Sequence, residues 1–236
     1  DDEHTPLWRE LAGQRRTLTF GGQGDVRLVQ NRASALGWQA VLGGPALQGE
    51  WAIELTVPGA HNLRNAMAAT ACALAAGVPM QHVVLGLSQF QPVAGRSHAT
   101  VLKVRDKTLT LVDDTYNANP DSVRAAIDVL SQLAAPHMLI LGDMGEVGDQ
   151  GPEFHAEVGR YARERGIAHL LTHGTLAALS AQAHGQAHHH DSFEGLCQEA
   201  ERLCASVSSV LVKGSRFMKM ERVVRHLQTN REKTTC

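Results

Sequence analysis

From about residue 99 onward, short apolar runs alternate with stretches of helical periodicity, and this restricts the chain to an α/β architecture. Leu109-Thr110-Leu111-Val112-Asp113 predicts a strand. Asn119-Pro120 predicts a helix start, with asparagine at the cap and proline at the first helical position. Val123, Ala126, Ile127 and Leu130 then line one helical face. The alternation continues through strands near 137–141, 168–172 and 209–212. Helices are predicted from Pro152 and over 176–182, 195–205 and 216–228. Short connections between such elements require right-handed crossovers and predict a doubly wound, Rossmann-like sheet.

The preceding residues read differently. Arg16-Thr17-Leu18-Thr19-Phe20 and Val26-Arg27-Leu28-Val29 alternate apolar and polar as half-buried strands do, with Gly21, Gly22 and Gly24 as the turn between them. Further strands are predicted over 36–42 and 51–57, so that residues 1–60 are expected to be extended. Leu63, Ala66, Met67, Thr70, Ala71 and Leu74 then share one face of a helix over 62–76, closed by Gly77. A second helix is expected over 80–89. The aperiodic Gln91-Pro92-Val93-Ala94-Gly95 is the candidate linker, dividing the chain into 1–93 and 94–236.

Composition narrows the function. With a net charge of −2 the chain has no basic field to hold nucleic acid. It holds no apolar run of about 20 residues, so no membrane span is expected. Asp1-Asp2-Glu3 is the opposite of a signal-peptide start. Cys197 and Cys204 are seven apart on one helical face and, with Cys72 and Cys236, are expected to be reduced thiols in a cytoplasmic protein. No CxxC pair suggests zinc. His188-His189-His190 reads as a solvated loop, and His61 and His155 are weak metal candidates.

Ligands of doubly wound sheets gather at the carboxyl ends of strands, and three predicted strand ends here carry polar runs. They are Asp113-Asp114-Thr115-Tyr116-Asn117-Ala118-Asn119-Pro120, Gly142-Asp143-Met144-Gly145-Glu146 and Lys213-Gly214-Ser215-Arg216. Singly, each has an ordinary explanation. Asp114 would serve to organise a turn, Asn119 to cap a helix, and Asp143 and Glu146 to solvate a loop. Lys213-Gly214-Ser215 suits a carboxylate or a phosphate, and composition does not choose between them. At the earlier strand-to-helix junction, Asn62 and Asn65 are three apart on one helical face. Their amides match the edge of an adenine ring, but on the residues alone a cap at Asn62 and a solvated Asn65 are the favoured explanation.

Taken in order, these runs resemble the Mur ligase family over essentially the whole chain. The marks are His61-Asn62-x-x-Asn65-Ala66, Val93-Ala94-Gly95-Arg96, the run from Asp113 to Ser122, Leu141 to Glu146 with His155 downstream, and Val212 to Arg216. The resemblance implies a three-domain, ATP-dependent amide ligase. Residues 1–93 would be the C-terminal portion of its central ATP-binding domain and 94–236 its Rossmann-like C-terminal domain. It implies addition of D-alanyl-D-alanine to UDP-N-acetylmuramoyl-tripeptide through an acyl phosphate, with Mg2+ offsetting charge, in an intact enzyme that is a monomer. By the same resemblance Asn62, Asn65, Arg96, Asp114, Tyr116 and Asn119 would bind the nucleotide, Arg96 also assisting catalysis. Asn117, Asp143, Glu146, Lys213 and Ser215 would receive the dipeptide.

The departures bear on activity. The family's Gly-Lys-Thr or Gly-Lys-Ser phosphate loop has no counterpart in residues 1–60, nor do its magnesium-binding glutamate and modified lysine. The chain alone is therefore expected to be inactive, to begin inside the central domain, and to expose strand edges in 1–93 that favour association. Ala60, Thr115 and Ser97-His98 are smaller departures. The alternatives are another Mur-type or folylpolyglutamate-type ligase, or a non-catalytic module that binds nucleotide and dipeptide.

Overall fold

The computed structural model describes residues 4–34 and 36–232 and divides the chain into two compact units, Asp1–Gln91 and Pro92–Cys236. Asp1-Asp2-Glu3 and Cys236 lie outside the described residues.

The first unit opens with a helix, α1 (Thr5–Ala12), where extended chain was expected. Pro6 in its first turn favours that start. Three strands follow, β1 (Arg27–Ser34), β2 (Gly37–Gly43) and β3 (Trp51–Leu55), paired antiparallel in the order β1-β2-β3. The strand predicted over 16–20 is absent, and only a single bridge joins Phe20 to Val26. Asp25 is the reason. Its carboxylate accepts from the Thr19 N–H at 2.8 Å and from the Thr19 hydroxyl at 2.7 Å, folding the segment into a loop. α2 (Ala60–Ala75) and α3 (Met80–Ser88) pack with the sheet, so that Leu42, Ile53, Leu55, Leu63, Ala66 and Met67 form one core. Gly77 follows α2 at φ +83°, the left-handed backbone expected of a helix-terminating glycine. Among the described residues β1 and β3 each pair on one side only.

The second unit is a six-stranded sheet of β4 (His98–Val104), β5 (Lys107–Asp114), β6 (His137–Gly142), β7 (His169–His173), β8 (His188–His189) and β9 (Ser209–Lys213). The order is β4-β5-β9-β6-β7-β8, parallel from β5 onward. β4 is an antiparallel edge strand that the sequence reading passed over. It holds Ala99, Val101, Leu102 and Val104, but the adjacent Val101 and Leu102 break the strict alternation that marks a half-buried strand. His188-His189 is likewise an edge strand and not a loop, paired with Leu171 and Thr172.

β6 and β9 are buried at every residue, and their centres, residues 138–141 and 210–212, are continuous apolar runs. Leu139, Leu141 and Leu211 face α4 (Pro120–Ser131) and α5 (Gly151–Glu164). Met138, Ile140, Val210 and Val212 face α7 (Phe193–Leu203) and α8 (Glu221–Glu232). Helices thus cover both faces, the expected doubly wound arrangement. α6 (Ala177–His184) packs beside α5, where a Cβ on Gly159 would sit 2.2 Å from the Ser180 carbonyl oxygen. Cys197 and Cys204 are buried in the α7–α8 core, as their spacing predicts. The helix expected from residue 216 begins as a 3-10 turn over Arg216–Met218 before α8.

Candidate functional site

β9, last in the chain, inserts between β5 and β6, and this topology gathers the three polar strand ends. In register, Asp114 stands opposite Lys213, and Lys213 opposite Leu141. Lys213 is 3% exposed, and its Nζ donates to Asp114 Oδ2 at 2.5 Å and to the Asn117 carbonyl at 3.0 Å. Asp114 Oδ1 accepts from the Ser97 N–H at 2.9 Å and from its hydroxyl at 3.2 Å. A charge pair so withdrawn from water persists where further hydrogen bonds support it, as those from Ser97 to Asp114 and from Lys213 to the Asn117 carbonyl do here. Asp114 therefore joins three segments, whereas the turn role considered for it belongs to Asp113. That carboxylate accepts from the Thr115 N–H at 3.2 Å and from its hydroxyl at 2.6 Å.

The segment before β4 meets the end of β5 through glycine. Gly95 has φ +78°, its carbonyl accepts the Tyr116 N–H at 2.9 Å, and a Cβ there would lie 2.9 Å from that nitrogen. The close approach lays the Arg96 guanidinium over the Tyr116 ring at 4.0 Å, with Arg216 5.9 Å from the same ring. Arg96, Tyr116 and Asn117 are exposed, so this rim offers two cations and a phenol to a ligand.

Asn119 caps α4 through a reciprocal pair. Its Oδ1 accepts the Ser122 N–H at 2.8 Å, and the Ser122 hydroxyl accepts the Asn119 N–H at 3.0 Å. Its side-chain amide N–H groups and one lone pair of Oδ1 are left for a nucleotide. Asp143 and Ser215, expected to touch the dipeptide, are turned inward. Asp143 Oδ1 accepts from Leu176 and Ala177 N–H at 3.0 and 2.7 Å, and Oδ2 from Thr175 N–H at 3.0 Å. That carboxylate satisfies the start of α6, where a helix end favours negative charge. Ser215 donates its hydroxyl at 2.6 Å and its N–H at 2.9 Å to the Asp143 carbonyl. Both residues hold strand ends together. Glu146 differs, being exposed at φ +57°.

In the first unit, Asn62 is not the cap of α2, a place taken by Gly59. Its amide donates back to the Pro58 carbonyl at 2.7 Å, and its Oδ1 accepts from Asn65 at 3.1 Å. Trp38 donates its indole N–H to the Gly59 carbonyl at 3.1 Å, fixing the junction that carries them. Two residues with a place in the site were not singled out from the sequence. Ser97 appears there only as a departure from the family pattern, yet it binds Asp114 from a left-handed backbone, φ +50°. Arg216 appears only as the end of a motif. Its signal was adjacency to the buried Lys213.

The second unit is thus a doubly wound α/β domain, with a buried ion pair and exposed guanidinium groups where its last strand inserts. A family model described as "Mur ligase, glutamate ligase domain" matches residues 95–216, and the chain belongs to the Mur ligase family. It is 32% identical over 228 residues to the UDP-N-acetylmuramoyl-tripeptide–D-alanyl-D-alanine ligase of Escherichia coli, covering 94% of this chain and 49% of that one. To the ligase of the same name from Haemophilus influenzae it is 35% identical, covering 97% and 50%. A crystal structure of MurF from Acinetobacter baumannii superimposes with a TM-score of 0.85 at 32% identity, over 96% of this chain and 50% of that one. MurF of Thermotoga maritima in complex with ADP shares the fold, with a TM-score of 0.80 at 22% identity over 98% and 53%. The chain spans about half the length of the curated relatives it matches.

Proposed function

We propose that this chain carries part of an ATP-dependent ligase that joins D-alanyl-D-alanine to UDP-N-acetylmuramoyl-tripeptide. Residues 1–93 would belong to its central ATP-binding domain and 94–236 would form its C-terminal domain. The observation that carries the reading is the convergence of Lys213, Asp114 and Asn117 at the ends of β9 and β5, with Arg96, Tyr116 and, after β6, Glu146 exposed.

ATP, when bound, supplies the activation of the substrate carboxylate, and Mg2+ would offset the charge of its phosphates. The residues present suit part of that nucleotide. The paired amides of Asn62 and Asn65 suit an adenine edge, and the guanidinium of Arg96, held by the Tyr116 ring, suits a phosphate oxygen. Asp114 already has both oxygens engaged, Oδ1 twice by Ser97 and Oδ2 once by Lys213, so Oδ2 keeps a lone pair for a ribose hydroxyl. The 236 residues contain no Gly-Lys pair that would cradle the terminal phosphates, and no step is assigned to such a cradle.

Around the strand ends, the roles follow from exposure. Lys213 is neutralised by Asp114 and shapes the Asn117 loop, leaving the exposed Asn117 amide to meet the dipeptide. Glu146, exposed after β6, would receive the ammonium of the dipeptide. Asp143 and Ser215 position these groups from within.

The test is amide formation by the ligase containing this chain, given ATP and UDP-N-acetylmuramoyl-tripeptide with one amine at a time. Incorporation of D-alanyl-D-alanine, with neither meso-diaminopimelate nor glutamate accepted, is expected. Acceptance of either of those in its place would assign another ligase of the family. The 236 residues alone are expected to leave ATP intact, and substrate-dependent hydrolysis by them would overturn that part.

A further inference from the structure

His155 is fully buried on α5, outside the groups assigned so far. Its Nδ1 lies 2.7 Å from the Gly151 carbonyl, which only accepts, so Nδ1 carries a proton. Its Nε2 lies 2.9 Å from the Met144 N–H, which only donates, so Nε2 is bare. The imidazole is therefore neutral and fixed in one tautomer. The Ser180 hydroxyl donates to the His155 carbonyl at 2.7 Å, tying that part of α5 to α6.

The other end of this clamp is the loop after β6. Asp143 is held through its carboxylate by Thr175, Leu176 and Ala177 and through its carbonyl by Ser215. Gly145 donates its N–H to the Ala118 carbonyl at 3.1 Å. Met144 stands between them, and His155 supplies the partner its N–H needs in the interior. Glu146 comes next, at φ +57°, a conformation a non-glycine side chain holds only where its surroundings impose it.

We infer that His155 is a positioning residue: by accepting the Met144 N–H it holds the loop that presents Glu146 to the incoming amine. The clamp stands on the geometry alone, while its use toward an amine rests on the ligase reading above.

Two variants separate the clamp from a merely space-filling histidine. His155→Gln keeps an acceptor near Nε2, whereas His155→Asn keeps a donor near Nδ1 and loses the reach to Met144. In the 236-residue chain, nitrogen NMR is expected to find His155 Nδ1 protonated and Nε2 bare. The Met144 amide should exchange about tenfold faster in His155→Asn and close to the parent rate in His155→Gln, with β6 amides unchanged in both. The opposite tautomer, or equal Met144 exchange in the two variants, would overturn the clamp. In the ligase, His155→Asn should raise KM for the amine substrate about tenfold, leave KM for ATP unchanged, and be rescued by Gln. A shared loss in both KM values would refute the positioning role. Because tautomer and exchange are read without turnover, failure of the clamp is distinguishable from failure of the ligase reading.

Discussion

Lys213 is the residue on which the site turns, since a buried ammonium needs all of its partners. Replacing it with methionine keeps the bulk but leaves Asp114, whose side chain is 16% exposed, without its cation. Lys213→Met is expected to cost about 3–5 kcal/mol, because removing one partner strands a buried charge. Lys213→Met combined with Asp114→Asn should recover part of that loss. Urea denaturation of the three proteins measures it, and a double variant no more stable than Lys213→Met would mean the pair is not coupled. Neither the burial nor the pairing was visible in the sequence, where Lys213 and Asp114 stand 99 residues apart. Only the insertion of β9 beside β5 makes them neighbours.

At the scale of single elements, local chemistry was the more readable. Asn119-Pro120 announced α4, and the structure adds Ser122 as the reciprocal partner that completes the cap. Asn119→Ala should cost about 1 kcal/mol, the usual loss when a helix N–H gives up its cap, and Asn119→Asp about nothing. Thermal unfolding of the two variants tests this, and equal losses would assign Asn119 a role beyond the cap. The elements misread are those whose patterns were overridden or weak. The segment Arg16 to Phe20 alternates like a strand, but Asp25 captures Thr19 and leaves it no partner strand. Both β4 and β8 are edge strands: β8 is two exposed histidines with no apolar face, and in β4 the adjacent Val101 and Leu102 break strict alternation. Asp143 looked like a solvated loop acid because the helix start it satisfies lies more than 30 residues later.

Across the molecule, buried histidines tie stability to pH. His184 is 2% exposed, with Nε2 3.1 Å from the Ile167 carbonyl and Nδ1 unpartnered. Burial pushes its pKa below the usual 6.5, and nearby Arg163 adds to this against the Ile167 hydrogen bond. His190 is shifted the same way, first by burial and then by His188, His189 and His173, with Glu199 opposing. When the folded pKa is the lower one, the unfolded chain binds more protons, so stability rises with pH. The loss begins as pH falls through 6.5 and levels off below the depressed folded values. The protein is expected to unfold at lower denaturant at about pH 5 than at about pH 7.5, and His184→Gln should flatten that profile. A flat profile in the parent chain would contradict it.

By itself, the sequence determined the α/β class, the helices of both units except α1, the buried face shared by Cys197 and Cys204, and the three polar runs that end strands. These follow from periodicity and capping, which act over a few residues and leave their mark locally. Tertiary structure decided which of those polar residues face solvent and which face inward. Asn117, Glu146 and Arg96 are left exposed, while Asp143, Ser215 and Lys213 are consumed in holding strand ends together. The order in which parallel strands assemble is set by burial on both sheet faces, and no local pattern records that the last strand must insert between the first two.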